Sequence, residues 1–349
     1  MRHEVGTSVV EERERVLALA LDPRLAWAAA RREVAARAPE LPFDAPRPDR
    51  RPAPAALAAL AQAQGRAVLL GDPDFPPAVA SMPAGPVGLF VRGAWPAQPM
   101  VAIVGARACT RAAARLAFAL AQAAADAGWT VLSGGAVGID AAAHEGALAG
   151  GGATVAVLGS GLDRLYPERN VGLFERIARV GAVVTPFPCG TAPTRANFPR
   201  RNGIVAALAS HALVVEARPR SGALLTAGAA RSLGRALGAV PGTVGCDRLL
   251  CEGARRVTAP ADLLGWLAGA PARPVAQRGP TPEADRALRA CDAVPRGAAE
   301  IAARAGLDEE EGRVALGFLE LWGLVARAGG DRFVRIVNEE ATHNHAQSA

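Results

Sequence analysis

VAIVGARACT, residues 101–110, and TVLSGGAVGIDAAAH, residues 130–144, carry the same short pattern twice. The apolar run Val101–Val104 stops at Gly105-Ala106-Arg107, and Thr130-Val131-Leu132 stops at Ser133-Gly134-Gly135. A helix-patterned stretch follows each turn. Such a strand–turn–helix unit aims backbone N–H groups and the positive end of a helix dipole at one point, where an anion can be held. Two units on neighbouring parallel strands open into one crevice beyond the carboxyl ends of the sheet. The expected ligand is therefore anionic, and Arg107 stands in the first turn to meet it.

The alternation continues outward from these turns. Candidate strands at 101–104, 130–132, 154–158, 182–184, 212–216 and 236–240 alternate with helical stretches at 111–127, 138–149, 170–179, 200–208 and 222–233. Short, continuous apolar strands of this kind belong to a parallel sheet covered on both faces. The pattern predicts an α/β fold: Rossmann-like, doubly wound, with a mostly parallel sheet.

Smaller regions flank it. Residues 1–60 predict a small helical region, with ERERVLALA and LAWAAARREVAARA separated at Asp22-Pro23 and followed by the Pro/Arg-rich linker LPFDAPRPDRRPAPA. The Rossmann-like domain is expected over 61–267, preceded from Ala67 to Gly93 by a lead-in of two short strands around a proline-rich loop. A linker at 268–282 precedes a helical unit at 283–337, and 338–349 reads as a disordered tail. In that unit a helix at 297–305, a turn at Gly306, a helix at 309–322 and a hairpin at Gly329-Gly330 give a winged-helix pattern.

Composition removes several classes. With 349 residues and 50% hydrophobic content the chain can bury a full core in two or three domains. Lysine does not occur, so all 39 basic residues are arginine. That excludes a Walker A phosphate loop, a Schiff-base enzyme and a lysine-dependent kinase. Between Arg195 and Arg256 ten arginines face three acids, Glu216, Asp247 and Glu252, an excess suited to a polyanion. Aromatic residues are only 4%, which disfavours a long stacking platform and favours phosphate contacts with a steep salt dependence. No run reaches the roughly 18 apolar residues of a membrane helix, and the start lacks a signal-peptide core. A cytoplasmic location without membrane contact is expected. Five cysteines without a CxxC pair and five histidines suggest neither a metal site nor a cofactor.

Six blocks then carry a family resemblance. They are Gly105-Ala106-Arg107 with Thr110; Ser133 to Asp140 with His144; Tyr166-Pro167 with Asn170; Phe198-Pro199-Arg200-Arg201-Asn202; Ser221 to Ala227; and Pro241-Gly242 with Gly253-Ala254. In this order the chain resembles, over about 66–335, the DNA-processing protein A (DprA/Smf) family. The resemblance implies a non-enzymatic protein that binds and protects single-stranded DNA and loads the RecA recombinase, notably in natural transformation. It also implies a homodimer formed through the Rossmann-like domain. Departures are Gly203, where a further arginine is usual, Thr185-Pro186 in place of Ser-Glu, and Asp247 in place of asparagine.

Physics and resemblance together give a candidate DNA- and phosphate-binding set. It comprises Gly105, Arg107, Thr110, Ser133, Gly134, Gly135, Gly138, Phe198, Arg200, Arg201, Asn202, Ser221, Gly222 and Thr226, with Asp140 and His144 as structural support of the loop. Arg107 can pair two phosphate oxygens with its fork, and Arg200 and Arg201 can neutralise phosphates. The Ser133 hydroxyl is an extra donor; Phe198 can stack a base or anchor the following helix. Ser221 is placed to cap its helix. Asp140 and His144, four apart, lie within hydrogen-bonding reach on one helix face, yet without a nucleophile or metal they indicate no catalytic residue.

Two rival classes share parts of the pattern. A nucleotide-processing phosphoribohydrolase would need a PGGxGTxxE motif, and Pro241-Gly242-Thr243-Val244-Gly245-Cys246 lacks both the second glycine and the glutamate. A duplex-binding winged-helix regulator would lead its recognition helix with Asp308-Glu309-Glu310-Glu311, which phosphate repels. That acidic start suits a protein-contact or regulatory module better.

Overall fold

Each of the six continuous apolar runs forms a strand in the computed structural model, which describes residues 2–22, 25–35, 52–82, 84–219, 221–269, 282–328 and 330–336. In chain order the elements begin with α1 (Arg2–Leu21), α2 (Trp27–Ala35), α3 (Pro54–Gln62), β1 (Arg66–Leu69), α4 (Pro77–Ala80) and β2 (Gly88–Gly93). The alternating part follows: β3 (Met100–Val104), α5 (Arg111–Asp126), β4 (Thr130–Ser133), α6 (Ile139–Ala149), β5 (Thr154–Val157), α7 (Val171–Val180) and β6 (Ala182–Thr185). Next come α8 (Asn197–Leu208), β7 (His211–Val214), α9 (Gly222–Ser232), β8 (Ala236–Ala239), α10 (Val244–Cys251), β9 (Arg255–Arg256) and α11 (Pro260–Ala268).

The nine strands form one sheet in the order β1-β2-β6-β5-β4-β3-β7-β8-β9. All pairings from β6 to β9 are parallel, and the edge strands β1 and β2 run antiparallel. From β3 the chain steps one way through β4, β5 and β6, then returns to β3's other flank with β7 and continues to β8 and β9. Strand order therefore reverses between β3 and β7, the position where doubly wound sheets open a crevice.

Alternation along β3 explains why the sheet is covered on both faces. Val101 and Ile103 bury against the side carrying α5, α6 and α11, while Ala102 and Val104 bury against the side carrying α8 and α9. A third cluster, with Phe90, Leu158, Phe174 and Ile177, packs α7 and part of α1 onto the β2–β6–β5 end.

The last part holds α12 (Pro282–Ala290), β10 (Arg296–Gly297), α13 (Ala298–Arg304), α14 (Glu309–Leu321), β11 (Val325–Arg327) and β12 (Arg332–Arg335). Its strands make an antiparallel sheet in the order β10-β12-β11, and its helices share a core around Ile301, Leu316 and Phe333. Asp308 caps α14 by accepting from the Glu310 and Glu311 N–H groups, as its position before an acidic first turn suggests. This unit sits on the sheet domain through α14 and α8.

Several short elements go beyond the sequence expectation, α4, β9 and β10 among them, together with four helices. Helix α3 begins inside the Pro/Arg-rich stretch expected as a linker, whose last two residues, Pro54 and Ala55, open its first turn. Helices α10, α11 and α12 are eight or nine residues long, too short for a helical repeat to stand out. Residues 36–51, 270–281 and 337–349, which hold most of both linkers and the whole tail, lie outside the described residues.

Candidate functional site

The crevice at the switch point has a volume of about 560 Å³. Its walls come from the turn after β3, the turn after β4, the first two turns of α8, and the loop and helix start after β7. Five arginines line it (107, 195, 201, 218 and 313) against two carboxylates, Asp140 and Glu310.

The first turn is held from behind. Ala106 N–H donates to the Glu216 carbonyl at 2.8 Å, and Thr110 donates to the Glu216 carboxylate from both its N–H (3.0 Å) and its hydroxyl (2.9 Å). The same Thr110 hydroxyl accepts from Ala113 N–H and caps α5. Thr110 is thus a clamp at the base of the turn and not part of the crevice lining. Arg107 projects from the turn, exposed, with its guanidinium 4.8 Å from the centroid of the Phe198 ring.

Inside the second turn, residues expected to touch ligand are occupied by the protein. Ser133 is fully buried and its hydroxyl donates to the Ile103 carbonyl at 2.7 Å, tying β4 to β3. It has no free donor for an anion. A Cβ on Gly135 would meet the Phe174 ring at 2.6 Å, so this glycine serves packing. Gly138 has φ +85°, and a Cβ there would collide with the Ala106 carbonyl. It lets the two turns touch, and Ile139 N–H donates to Ala106 O at 3.2 Å. Gly105 and Gly134 do line the crevice.

Asp140 accepts from Ala136 N–H of the second turn at 3.3 Å. Burial raises its carboxyl above the ordinary value, opposed by the positive charge of Arg201. His144 turns elsewhere: its Nδ1 meets the Thr154 hydroxyl at 2.7 Å, joining α6 to β5, and the Asp140–His144 hydrogen bond does not form. Burial, with Arg201 adding in the same direction, pushes His144 down to about 3, so the ring is neutral. Fully buried, it takes no part in the crevice lining.

Helix α8 sorts its side chains by its own period. Phe198, Arg201, Asn202 and Val205 recur at helical spacing and all line the crevice, whereas Arg200 points away. The Arg200 guanidinium lies 3.8 Å over the Trp27 ring of α2 and 4.0 Å from the Glu320 carboxylate of α14. Burial lowers its pKa to about 10, and Glu320 opposes that fall. The expected phosphate contact at Arg200 is therefore corrected: it is an internal anchor joining three parts of the chain. Arg201 sits under the crevice floor, 96% buried, donating to the Gly134 carbonyl and, at 2.6 Å, to the Val157 carbonyl. It supplies charge to the floor from inside.

At the third wall, Asn202 Nδ2 donates to Gly222 O at 3.1 Å and braces the start of α9. Ser221 occupies the N-cap position but its side chain makes no capping bond, and the buried Oγ has no hydrogen-bond partner. Gly222 is exposed and Thr226 buried, both on the crevice wall. The candidate binding set leaves out Glu216, Arg195 and Arg218, which the sequence shows only as charges of the 195–256 segment, and the α14 residues Glu310 and Arg313. Glu216 carries a signal of its own, an acid ending an apolar strand in a segment with ten arginines. Glu310 is legible as part of an acidic helix start, but nothing local marks its approach, or that of Arg313, to the crevice, which follows from tertiary packing.

Strand order, switch point and crevice make this a doubly wound α/β protein with an arginine-walled crevice. The model of the family described as DNA recombination-mediator protein A matches residues 66–268, and the chain belongs to that family. A DNA processing protein DprA of Mycobacterium tuberculosis is 44% identical over 251 residues, covering 67% of this chain and 64% of that protein. The protein Smf of Escherichia coli is 38% identical over 213 residues, 56% of this chain and 57% of its own length. The chain thus spans a little under two thirds of these relatives. Among solved structures, DNA processing protein A of Streptococcus pneumoniae superposes with a TM-score of 0.56 at 30% identity, over 73% of this chain and 92% of that one. The Helicobacter pylori DNA processing protein A, described with a single-stranded DNA binding mode, gives 0.53 at 26% identity, over 59% of this chain and 96% of that one.

Proposed function

We propose that this chain is a single-stranded DNA-binding recombination mediator that protects incoming strands and loads RecA, as in natural transformation. The observation that carries the reading is Arg107: an exposed guanidinium beside two helix starts, already stacked on Phe198. A phosphate docked there meets a fork donor, backbone N–H groups and a ring that tolerates any base. The family's description as a recombination mediator and the single-stranded DNA mode of the Helicobacter pylori protein support it.

The protein acts without catalysis in this reading. Asp140, the carboxylate of the sheet domain at the crevice, is buried and engaged by Ala136 N–H, a poor placement for acid–base chemistry. Residues 61–267 form the DNA-binding domain and the homodimer contact, and 283–337 are read as a winged helix with a regulatory role, since its α14 brings Glu310 to the anion crevice. The N-terminal region over 1–60 serves as a brace, through Trp27 on Arg200.

The test is a salt series with oligo-dT and duplex of equal length. Tighter binding of oligo-dT is expected, and Arg107→Ala should flatten the slope of log K against log salt by about 0.7, the value for one phosphate contact on a single strand. Arg200→Ala should leave the slope unchanged. Equal affinity for both nucleic acids would overturn the reading.

A further inference from the structure

We propose that Tyr166 is a nucleobase-stacking residue that extends the crevice along the ends of the strands. The inference rests on the single-stranded DNA reading and names a contact outside the candidate set. Tyr166 is the only tyrosine of the chain. At 44% exposure it is also, among the described residues, the one aromatic side chain in the exposed class. In a protein with so few aromatic residues, leaving one ring in water beside the arginine crevice needs a reason.

Its position supplies one. The Tyr166 and Phe198 ring centroids lie 6.2 Å apart at an interplanar angle of 43°, and Phe198 carries Arg107 on its face. Arg107, Phe198 and Tyr166 thus form a continuous row from the phosphate grip to an open aromatic edge. The row follows the sheet, because Tyr166 belongs to the loop after β5. The ends of β7, β3, β4 and β5 are successive neighbours, so three strand spacings of about 4.8 Å carry the path roughly 14 Å. Arg164 and Arg169, both exposed, flank the tyrosine in sequence, and the Arg164 guanidinium lies 3.7 Å from the Asp163 carboxylate.

The loop is held firmly at both ends. Before Tyr166, the Ser160 hydroxyl donates to Arg164 O at 2.6 Å, and Thr185 Oγ1 donates to Ser160 O at 2.8 Å. After it, Asn170 Nδ2 donates to Gly135 O at 2.9 Å, tying the loop to the second glycine turn. A ring presented on a pinned loop loses little freedom when a base lands on it, which favours binding. Stacking on one such ring is indifferent to base identity and impossible for bases inside a duplex.

The experiment compares oligo-dT with an abasic oligonucleotide of the same length, which keeps the phosphates and removes the bases. Tyr166→Ala should weaken oligo-dT binding about tenfold, within the range for loss of one stacked base, and leave abasic binding unchanged. Tyr166→Phe should bind oligo-dT as the wild type does. Wild-type protein grown with 3-fluorotyrosine gives one ¹⁹F resonance, which should shift with oligo-dT and stay in place with the abasic strand. Equal losses on both strands, no loss on oligo-dT, or an unmoved resonance would overturn the assignment while leaving the Arg107 grip intact. A wild type that binds no oligo-dT would overturn both.

Discussion

His144 shows how far one side chain can depart from the role its spacing suggests. The ring is sealed between α6 and β5, bonded to Thr154 and facing the positive charge of Arg201. Its folded value of about 3 lies below the 6.5 of an exposed histidine. The unfolded chain therefore takes up the extra proton, and stability present above pH 6.5 is lost as pH falls towards 3. Urea unfolding of wild type and His144→Asn should give a wild-type slope steeper by up to about 1.4 kcal/mol per pH unit between pH 6 and 5. His211, also pushed down by burial, is common to both proteins and cancels. Parallel curves would show that His144 titrates normally. The sequence displayed the Asp140–His144 interval, but an interval of four permits a contact without choosing it over a partner on another strand. Arg200 and Arg201 make the same point. Starting the helix at residue 200 hid the 198, 201, 202, 205 repeat that separates them, since the helix in fact begins at Asn197.

At the level of elements, the two glycine turns were legible because each ends an apolar strand and opens a helix, the second with Gly135 and Gly138 at positive φ. What the pattern could not show is that the turns lock each other. Gly138 faces the carbonyls of Ala106 and Arg107, so its missing side chain is a contact between two elements as well as a backbone requirement. Gly128 is the natural control, with φ +81° and open space where its Cβ would be. Gly128→Ala should cost about 1–2 kcal/mol, the penalty for left-handed backbone alone. Gly138→Ala, at φ +85° and ψ −127° outside the left-handed helical region, should cost more than that, with about 1–3 kcal/mol added for overpacking, and should also weaken oligo-dT binding. Chemical denaturation of the two variants checks the difference; equal losses would mean that the turns move apart freely.

On the scale of the whole molecule, the crevice combines an α/β sheet with a helix from a separately cored unit. Glu310 and Arg313 of α14 stand on its wall, and the unit is anchored by Glu320 near Arg200 and by Gly317 against Pro199. The acidic helix start was readable as unfit for phosphate; its place beside the arginine-lined crevice was not, because no sequence rule sets how two cores dock. Glu310 lowers the positive potential that a strand meets on entry. Glu310→Gln should therefore raise oligo-dT affinity about two- to fivefold at low salt, with the gain fading as screening grows. Affinity unchanged at every salt concentration would mean that α14 leaves the binding path untouched.

The pairing of β3 with β7 has a consequence for the growing chain. Val101–Val104 pairs on one side with β4, made some thirty residues later, and on the other with His211–Val214, made about 110 residues later. During synthesis, and in any fragment ending before residue 211, the most apolar strand of the sheet presents an unpaired edge. Such an edge is a template for pairing with another chain. Fragments cut on the amino-terminal side of β7 should therefore precipitate or bind chaperones, although they hold both glycine turns complete.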